Sequence, residues 1–459
     1  MNPLNTKVIV TLGPSSSEKE VIERMIKEGA SAIRINFSHG KETDWVKWIK
    51  LIREAEVEKG VEIPIIGDLS GPGIRTSNET QVELIEGQTV TISMDDSGEI
   101  PIKEPLFFST LEPGDLVLID DGKISLKAEK VRAGRAELKV VSGGKLQPSK
   151  SVVIKGKETP LPPLTEKDLK DVRFSAENDV DFLAMSFVRG SDSIEQLRGI
   201  LRLLGSDIGI LAKIETKSGV SRFEEIARVS DGVIIARGDL GMHYDLEEIP
   251  NLQRSLIEKA RILKKPVIVA TQFLETMREN PVPTRSEVMD VYSAVLSGVD
   301  GLMITAETAI GKYPVECVRW ISRIITRAEE ELTTPKREKG KTLSERFSYG
   351  VVTLAESLGA KILIYTRGGN TPRRISSHRP LVPVYAGSPN PRTRRKVKLY
   401  WGVEPVLVPG KEYDYDKGLI KTMSSAKREG KIVRGDVVVL TYGIRGETTH
   451  TVRIERIVD

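Results

Sequence analysis

Lys213 and Glu215 stand two residues apart in the largely apolar run GILAKIET, and Asp239 follows Gly238 and precedes Gly241 in ARGDLG. Side chains alternate faces along a β-strand, so residues two apart point the same way. A charge at the end of a buried strand needs a partner or a task. With Asp239 on the neighbouring strand, Glu215 and Asp239 make a two-carboxylate site that suits Mg²⁺, which keeps waters and takes substrate oxygens. Lys213 then becomes an ammonium aimed at a group that carries negative charge. Transfer of a phosphoryl group needs mainly such positioned cations. Arg34, in IRINFSHG, adds a second cation whose planar fork matches phosphate oxygens. Thr271, in VIVATQ, brings a hydroxyl. The competing reading is structural: a buried Lys213–Glu215 ion pair, a tight turn at the glycines and a capping threonine.

Those residues need elements that deliver them to one place. Strands are expected at Lys7–Leu12, Ala32–Ile35 and Ile63–Gly67, with helices near Glu18–Glu28 and Asp44–Lys59. From about Ser70 to Pro160 the rhythm gives way to short strands with Gly, Thr and turn signals, the pattern of a small β-barrel or sandwich. Strands resume at Val180–Ser186, Ile208–Ile214, Gly232–Ala236, Pro266–Thr271 and Gly301–Thr305, each with a helical stretch after it. Three units before the interruption and five after it make a (β/α)₈ TIM barrel, in which chemistry gathers where strands end. Gly13, Arg34, Asp68, Ser186, Lys213, Asp239, Thr271 and Glu307 all lie at or just beyond such ends. The expected division is a barrel over 1–69 and 161–334, an inserted β-barrel lid over 70–160, and a C-terminal α/β domain over 335–459. PKREKGK (335–341) is the expected linker. Strands follow near Lys361–Tyr365, Leu381–Tyr385, Pro405–Val408, Asp436–Leu440 and Thr449–Ile454.

Composition narrows the class. Hydrophobic residues make up 39% of 459 and charged ones 29%, which allows a large core. A net charge of +4 is too small to argue for nucleic acid, so an anion site must be local. The single cysteine, Cys317, cannot form an internal disulfide and reads as a packing residue. No apolar run is long enough to span a membrane, and MNPLNTKVIVTLGP lacks a signal-peptide layout, so a cytoplasmic protein is expected.

The runs TKVIVTLGPSS, IRINFSHG, GDLSGPGIRT, LAKIET, VIIARGDLG, KPVIVATQFLETM and PVPTRSEVMDVYSAVLSGVDGLMITAETAIGKYP together resemble the pyruvate kinase family over nearly the whole chain. The resemblance implies an enzyme of glycolysis that moves a phosphoryl group from phosphoenolpyruvate to ADP, giving pyruvate and ATP. It gives Lys213 the role of stabilising the phosphoryl group in flight and Arg34 that of gripping it. Glu215 and Asp239 would hold Mg²⁺ or Mn²⁺. The Gly238 and Asp239 amides, with Thr271, would hold the substrate carboxylate. Asn36, His39, Arg75 and Lys150 would face the nucleotide, although SKSVVIKG around Lys150 departs from the family's lid motif. K⁺ would sit on Asn36, Ser38, Asp68 and the Leu69 carbonyl. Here the chain departs again: Asp68-Leu69-Ser70-Gly71-Pro72-Gly73 has the leucine of the K⁺-independent branch but no lysine at the last position. The K⁺ requirement is left open, with the leucine favouring independence. A homotetramer is also implied.

Residues 367–398 hold nine Arg and Lys and no acid. Within them, Thr366-Arg367-Gly368-Gly369-Asn370-Thr371-Pro372 follows a strand as a Gly-rich turn at a helix start, a phosphate cradle. The readings are a solvated basic face or, by resemblance, a sugar-phosphate effector site on Thr366, Arg367, Gly369 and Thr371; no nucleic-acid motif accompanies it. Two alternatives to a kinase remain at this stage. One is a lyase or aldolase that makes a magnesium enolate on a related barrel, and the other a non-catalytic effector-binding protein.

Overall fold

A computed structural model describes residues 4–333, 337, 339–411, 414–443 and 450–458. Eight parallel strands close into a barrel: β1 (Lys7–Thr11), β2 (Ala30–Asn36), β3 (Ile65–Asp68), β4 (Phe182–Met185), β5 (Gly209–Ile214), β6 (Gly232–Ala236), β7 (Val267–Ala270) and β8 (Gly301–Met303). Each pairs with its sequence neighbours, and β1 pairs with β8 to complete the ring. The strands read as almost unbroken β-branched and aliphatic runs because both their faces are covered. Ile9, Ala32, Ile66, Phe182, Leu211, Ile234, Ile268 and Met303 fill the inside of the ring. The alternate residues, such as Val8, Val10, Ile33 and Ile35, pack outward against the helices.

Several strands end earlier than the sequence pattern implies. Ser186, Thr271 and Thr305 all lie past the last paired residue. Beyond two of these ends the chain leaves the ladder at once, with φ of 54° at Phe187 and 76° at Thr271. Polar groups are thereby released from the barrel wall into its mouth.

The segment after β3 folds around a core of its own, centred on Val90, Ile92, Phe107, Ile119, Leu126 and Leu138. Its six-stranded sheet runs in the order Val152–Ile154, Leu116–Ile119, Ile124–Arg132, Arg135–Ser142, Thr89–Ser93, Ile100–Pro101, beside a ribbon of Val82–Leu84 and Gly144–Leu146. The two ends of the insertion meet at a bridge between Arg75 and Ser151. The chain then re-enters the barrel at helix Glu166–Glu177, capped by Thr165 and Asp168 acting reciprocally. Asp168 also accepts the Gly71 N–H at 3.0 Å, so one cap fastens both connections.

The C-terminal sheet has β9 (Lys361–Tyr365), β10 (Val384–Ser388), β11 (Val403–Leu407), β12 (Val437–Gly443) and β13 (His450–Arg456), in the order β11-β10-β9-β12-β13. Only β13 is antiparallel. The strand expected at Leu381–Tyr385 begins at Val384 instead, because Pro383 has no N–H for the ladder. Of the expected linker, Pro335, Lys336 and Glu338 lie outside the described residues, as does Thr449 of the last expected strand. No helix among the described residues is long and apolar enough to cross a membrane.

Candidate active site

Five consecutive strands meet in one polar network at the mouth of the barrel. The Lys213 ammonium lies 2.8 Å from Glu215 Oε1 and 3.3 Å from Asp68 Oδ1, and it donates to Ser186 Oγ at 2.8 Å. The other Asp68 oxygen accepts from Arg34 Nε at 2.6 Å, and Arg34 Nη1 donates to Thr11 Oγ1 at 3.1 Å. Charges therefore alternate: Arg34, Asp68, Lys213, Glu215. The second Glu215 oxygen takes the Phe187 N–H at 2.7 Å, which fixes the carboxylate plane. The face shared by residues two apart on β5 is the one the alternation requires.

Burial works against the charge on Lys213, but the carboxylates of Asp68, Glu215 and Asp239 outweigh it and raise its pKa above the usual lysine value. Burial likewise disfavours the Asp68 anion, and Lys213 and Arg34 reverse that, holding its carboxyl below the usual range. Asp239 lies on the short helix Arg237–Leu240 and lines the cavity. Burial, and next the Glu215 carboxylate, push its pKa up to about 7. Asp239 carries this unmet demand for positive charge, and with Glu215 close by it fits a divalent cation. Among the described residues no three His, Cys, Asp or Glu side chains gather as a metal site, so such an ion would complete its shell with water and substrate oxygens.

Thr271 sits across the mouth. Its hydroxyl accepts the Gly238 N–H at 3.0 Å, so the amide expected to meet a substrate carboxylate is already joined to the threonine expected to share that task.

A cavity of about 980 Å³ lies between the barrel mouth and the insertion. His39, Arg75, Lys150 and Asp239 all line it, three of the four nucleotide-facing candidates among them. Arg75 donates to the Ser149 carbonyl at 2.9 Å, and Lys150 pairs with Asp120 at 2.8 Å. Burial, and then Arg75 and Arg34, lower the His39 pKa. Asn36, the fourth candidate, is tied into its own loop, where its Oδ1 accepts the Ser38 N–H at 3.1 Å.

The expected K⁺ ligands carry protein partners. The Leu69 carbonyl accepts from Ser186 Oγ at 2.8 Å, Ser38 Oγ donates to Ser70 Oγ at 3.1 Å, and Asp68 lies between the two cations.

The basic stretch of the C-terminal domain is neither a solvated face nor a single anion site. Arg379 binds Asp300 through two 2.8 Å contacts, Arg395 binds Asp181 and Asp179 at 2.7 Å each, and Lys396 reaches Asp231 at 3.3 Å. Arg394 pairs with Glu62, and Arg392 with Asp207. All these acids belong to the barrel, so the cluster is a docking surface for the barrel floor. The effector candidates form a separate loop after β9. There the Thr366 hydroxyl accepts the Gly369 N–H at 2.9 Å, Gly369 has φ 80°, Arg367 lies 4.7 Å from the Tyr415 ring centroid, and Thr371 is buried.

Residue type and spacing assign no role to Ser186, to the Asp120-Asp121 hairpin tip, or to Arg237. The first stands one residue past a strand end, a position whose signal is shared with ordinary caps. Asp-Asp-Gly after an apolar run reads as a turn, but its approach to the barrel depends on tertiary docking.

Two family descriptions match the chain: "Pyruvate kinase, barrel domain" over residues 4–318 and "Pyruvate kinase, alpha/beta domain" over residues 345–455. The chain is 44% identical over 437 residues to a pyruvate kinase of Aeropyrum pernix, covering 95% of this chain and 94% of that protein. It is 35% identical over 467 residues to one from Thermotoga maritima, covering 99% of both. The crystal structure of a pyruvate kinase from Pyrobaculum aerophilum is similar with a TM-score of 0.90 at 33% identity, covering 99% of this chain and 100% of that one.

Proposed function

The chain belongs to the pyruvate kinase family and is a phosphotransferase; from that premise we propose that Lys213, Arg34 and Thr271 carry the transfer of a phosphoryl group from phosphoenolpyruvate to ADP. The observation that supports these roles is the alternating Arg34–Asp68–Lys213–Glu215 network at the barrel mouth; its own side chains do not line the large cavity, but Phe187, Thr216 and Asp239 beside it do. Neither a lyase nor a non-catalytic reading accounts for two half-buried cations held by acids at that point.

In this reading Asp68 and Glu215 fix the Lys213 ammonium where charge develops on the phosphoryl group, and Arg34 holds that group from the β2 side. Such preorganised charge acts most strongly in a water-poor site. Glu215 and Asp239 would hold Mg²⁺ or Mn²⁺, which when bound supplies positive charge to the phosphoryl and enolate oxygens. The substrate carboxylate takes the place of the Gly238–Thr271 hydrogen bond, engaging the Gly238 and Asp239 amides and the Thr271 hydroxyl. Water beside Thr271 delivers the proton to the enolate carbon. Across the cavity, His39 and Arg75 face the nucleotide with Asn36 behind them. Lys150 exchanges Asp120 for a nucleotide phosphate, which couples binding to lid position.

The protein partners of the Leu69 carbonyl and the Ser38 hydroxyl support activity without K⁺, whereas Asp68 Oδ1 is buried without a hydrogen bond; rates in K⁺ and in tetramethylammonium should match. Thr366, Arg367, Gly369 and Thr371 remain the effector loop, to be probed with phosphorylated sugars against the substrate saturation curve. A homotetramer is the family's implication, and exposed Leu246, Ile262 and Met289 on the barrel, with Val452 and Ile454 on β13, are candidate contacts between copies. One buried cysteine and a glycolytic reaction fit the cytoplasm. A coupled assay for pyruvate and ATP from phosphoenolpyruvate and ADP tests the main reading. Pyruvate formed without ATP would replace it with lyase chemistry, and no turnover with a binding role.

A further inference from the structure

At the end of the barrel away from the catalytic network, a second and much smaller cavity lies where helix Ile249–Ile262 stops against the C-terminal domain. Its volume of about 10 Å³ is close to the least that admits one water, so a halide enters only as the flexible Arg and Lys side chains of the wall give way. The cations at its wall are Arg261, Lys264, Lys265, Arg373 and Arg379, against the single carboxylate of Asp300. That carboxylate is committed, since both its oxygens bind Arg379 at 2.8 Å. Lys264 is matched by Glu345 at 2.6 Å.

Arg261, Lys265 and Arg373 have no such acid among the described residues. Lys265 donates to the Arg228 and Ser230 carbonyls at 3.0 and 2.6 Å, and Arg373 to the Lys264 carbonyl at 2.9 Å. The Nε atoms of Arg261 and Arg379 are buried without a hydrogen-bond partner. Arginine and lysine only donate, so these side chains cannot satisfy one another. The strain is visible in their protonation: burial and then Arg373 bring the Lys265 pKa down to about 8, and burial and then Arg379 lower that of Arg261. The carbonyl end of helix Ile249–Ile262 attracts cations, but with a charge of only about half a unit it does not offset three. A water would accept some of the donors without balancing the charge. A small anion does both.

We propose that this cavity is the seat of a halide-sized inorganic anion that bridges the barrel floor and the C-terminal domain. Its ligands come from both units: Arg261 and Lys265 from the barrel, Arg373 and Arg379 from the domain docked beneath it. An anion that binds only the docked arrangement stabilises it by mass action.

The test is thermal unfolding of the full chain at fixed pH and ionic strength, with sodium gluconate replaced stepwise by chloride, bromide or phosphate. Chloride and bromide should raise Tm by several degrees in a saturable way, and Lys265→Met and Arg261→Met should each abolish that rise while turnover of phosphoenolpyruvate persists. Crystals soaked in bromide should show an anomalous peak between Arg261 and Lys265, a readout on the unaltered protein that stands even where a variant fails to fold. Indifference of Tm to halide, an equal rise in both variants, a saturable rise with phosphate alone, or bromide peaks only elsewhere would each overturn the proposal.

Discussion

Arg237 holds Thr271 by its backbone. The guanidinium donates to the Thr271 carbonyl at 2.6 and 3.2 Å and to the Gln272 carbonyl at 3.1 Å. It lies 4.2 Å from the Phe273 ring centroid, and both Asp290 oxygens anchor it at 2.8 Å. Thr271 and Gln272 have φ of 76° and 59°, a region that costs a residue with a side chain about 1–3 kcal/mol and persists only where its surroundings impose it. Arg237→Met should therefore let Thr271 relax away from Gly238. The expected outcome is a rise in KM for phosphoenolpyruvate with a fall in kcat, together lowering kcat/KM by about tenfold to a hundredfold. Asp290→Asn should do the same more mildly. A lowered Tm with unchanged kcat/KM would leave Arg237 a merely structural residue.

Lys213→Met should lower kcat by about a thousandfold or more with little change in KM, because its charge acts chiefly in the transition state. The loss also strips Asp68 and Glu215 of a shared cation, so the variant should unfold at lower temperature; breaking a buried pair costs about 3–5 kcal/mol. An effect confined to KM would assign Lys213 to ground-state binding.

Asp239→Ala removes one of the two acids proposed to hold the divalent ion. Mg²⁺-dependent turnover should disappear. Titrating Mg²⁺ into the substrate-free variant should also fail to reproduce the Tm increase that the unaltered chain shows. Retention of Mg²⁺-dependent activity refutes the metal assignment.

What the sequence makes legible follows from range. The alternation of Lys213 and Glu215 is a local property of one strand, and their common direction is set by the pleat alone. The eight barrel strands are legible for the same reason, as apolar runs between amphipathic ones. The arginines of 392–395 are different. Their acids, Glu62, Asp179, Asp181 and Asp207, lie roughly two hundred residues or more away, and no pattern inside a basic stretch says that a distant surface will neutralise it. Arg237 is obscured in a similar way, since its task is defined by a backbone conformation at Thr271 that residue type does not announce.

Glu404 gives a pH signature. It binds Lys7 at 3.0 Å and Lys398 at 2.5 Å, joining β1 to β11. Burial opposes its ionisation, but Lys398 and Lys7 outweigh it and hold the carboxyl at about 2, against 4.5 for an ordinary glutamate. A depressed carboxyl contributes stability that is complete above its unfolded pKa and is lost as pH falls through the folded one. The Tm difference between the unaltered chain and Glu404→Gln should be constant above about pH 5 and close between 4.5 and 2. A difference that stays constant down to pH 2 would show that the two lysines do not hold Glu404 ionised.

Arg395 is the best test of the docking surface. Its guanidinium spans Asp181 and Asp179 at 2.7 Å each, with Glu56 at 3.7 Å, and Arg53 reaches Asp181 from the other side at 2.7 Å. Arg395→Met leaves the buried Asp181 with Arg53 as its remaining cation and takes one cation from the exposed Asp179, so the cost falls below the about 3–5 kcal/mol of a wholly unpaired buried charge. Because the barrel and the C-terminal sheet have separate cores, the loss should fall on their contact rather than on either core. Calorimetry should then resolve two transitions where the unaltered chain shows closer coupling. Initial turnover measured well below the first transition should be little changed, since the catalytic network lies at the other end of the strands. If Arg395→Met instead abolished a response to phosphorylated sugars while leaving unfolding untouched, Arg395 would belong to a sugar-phosphate site and its pairing with the barrel would be incidental.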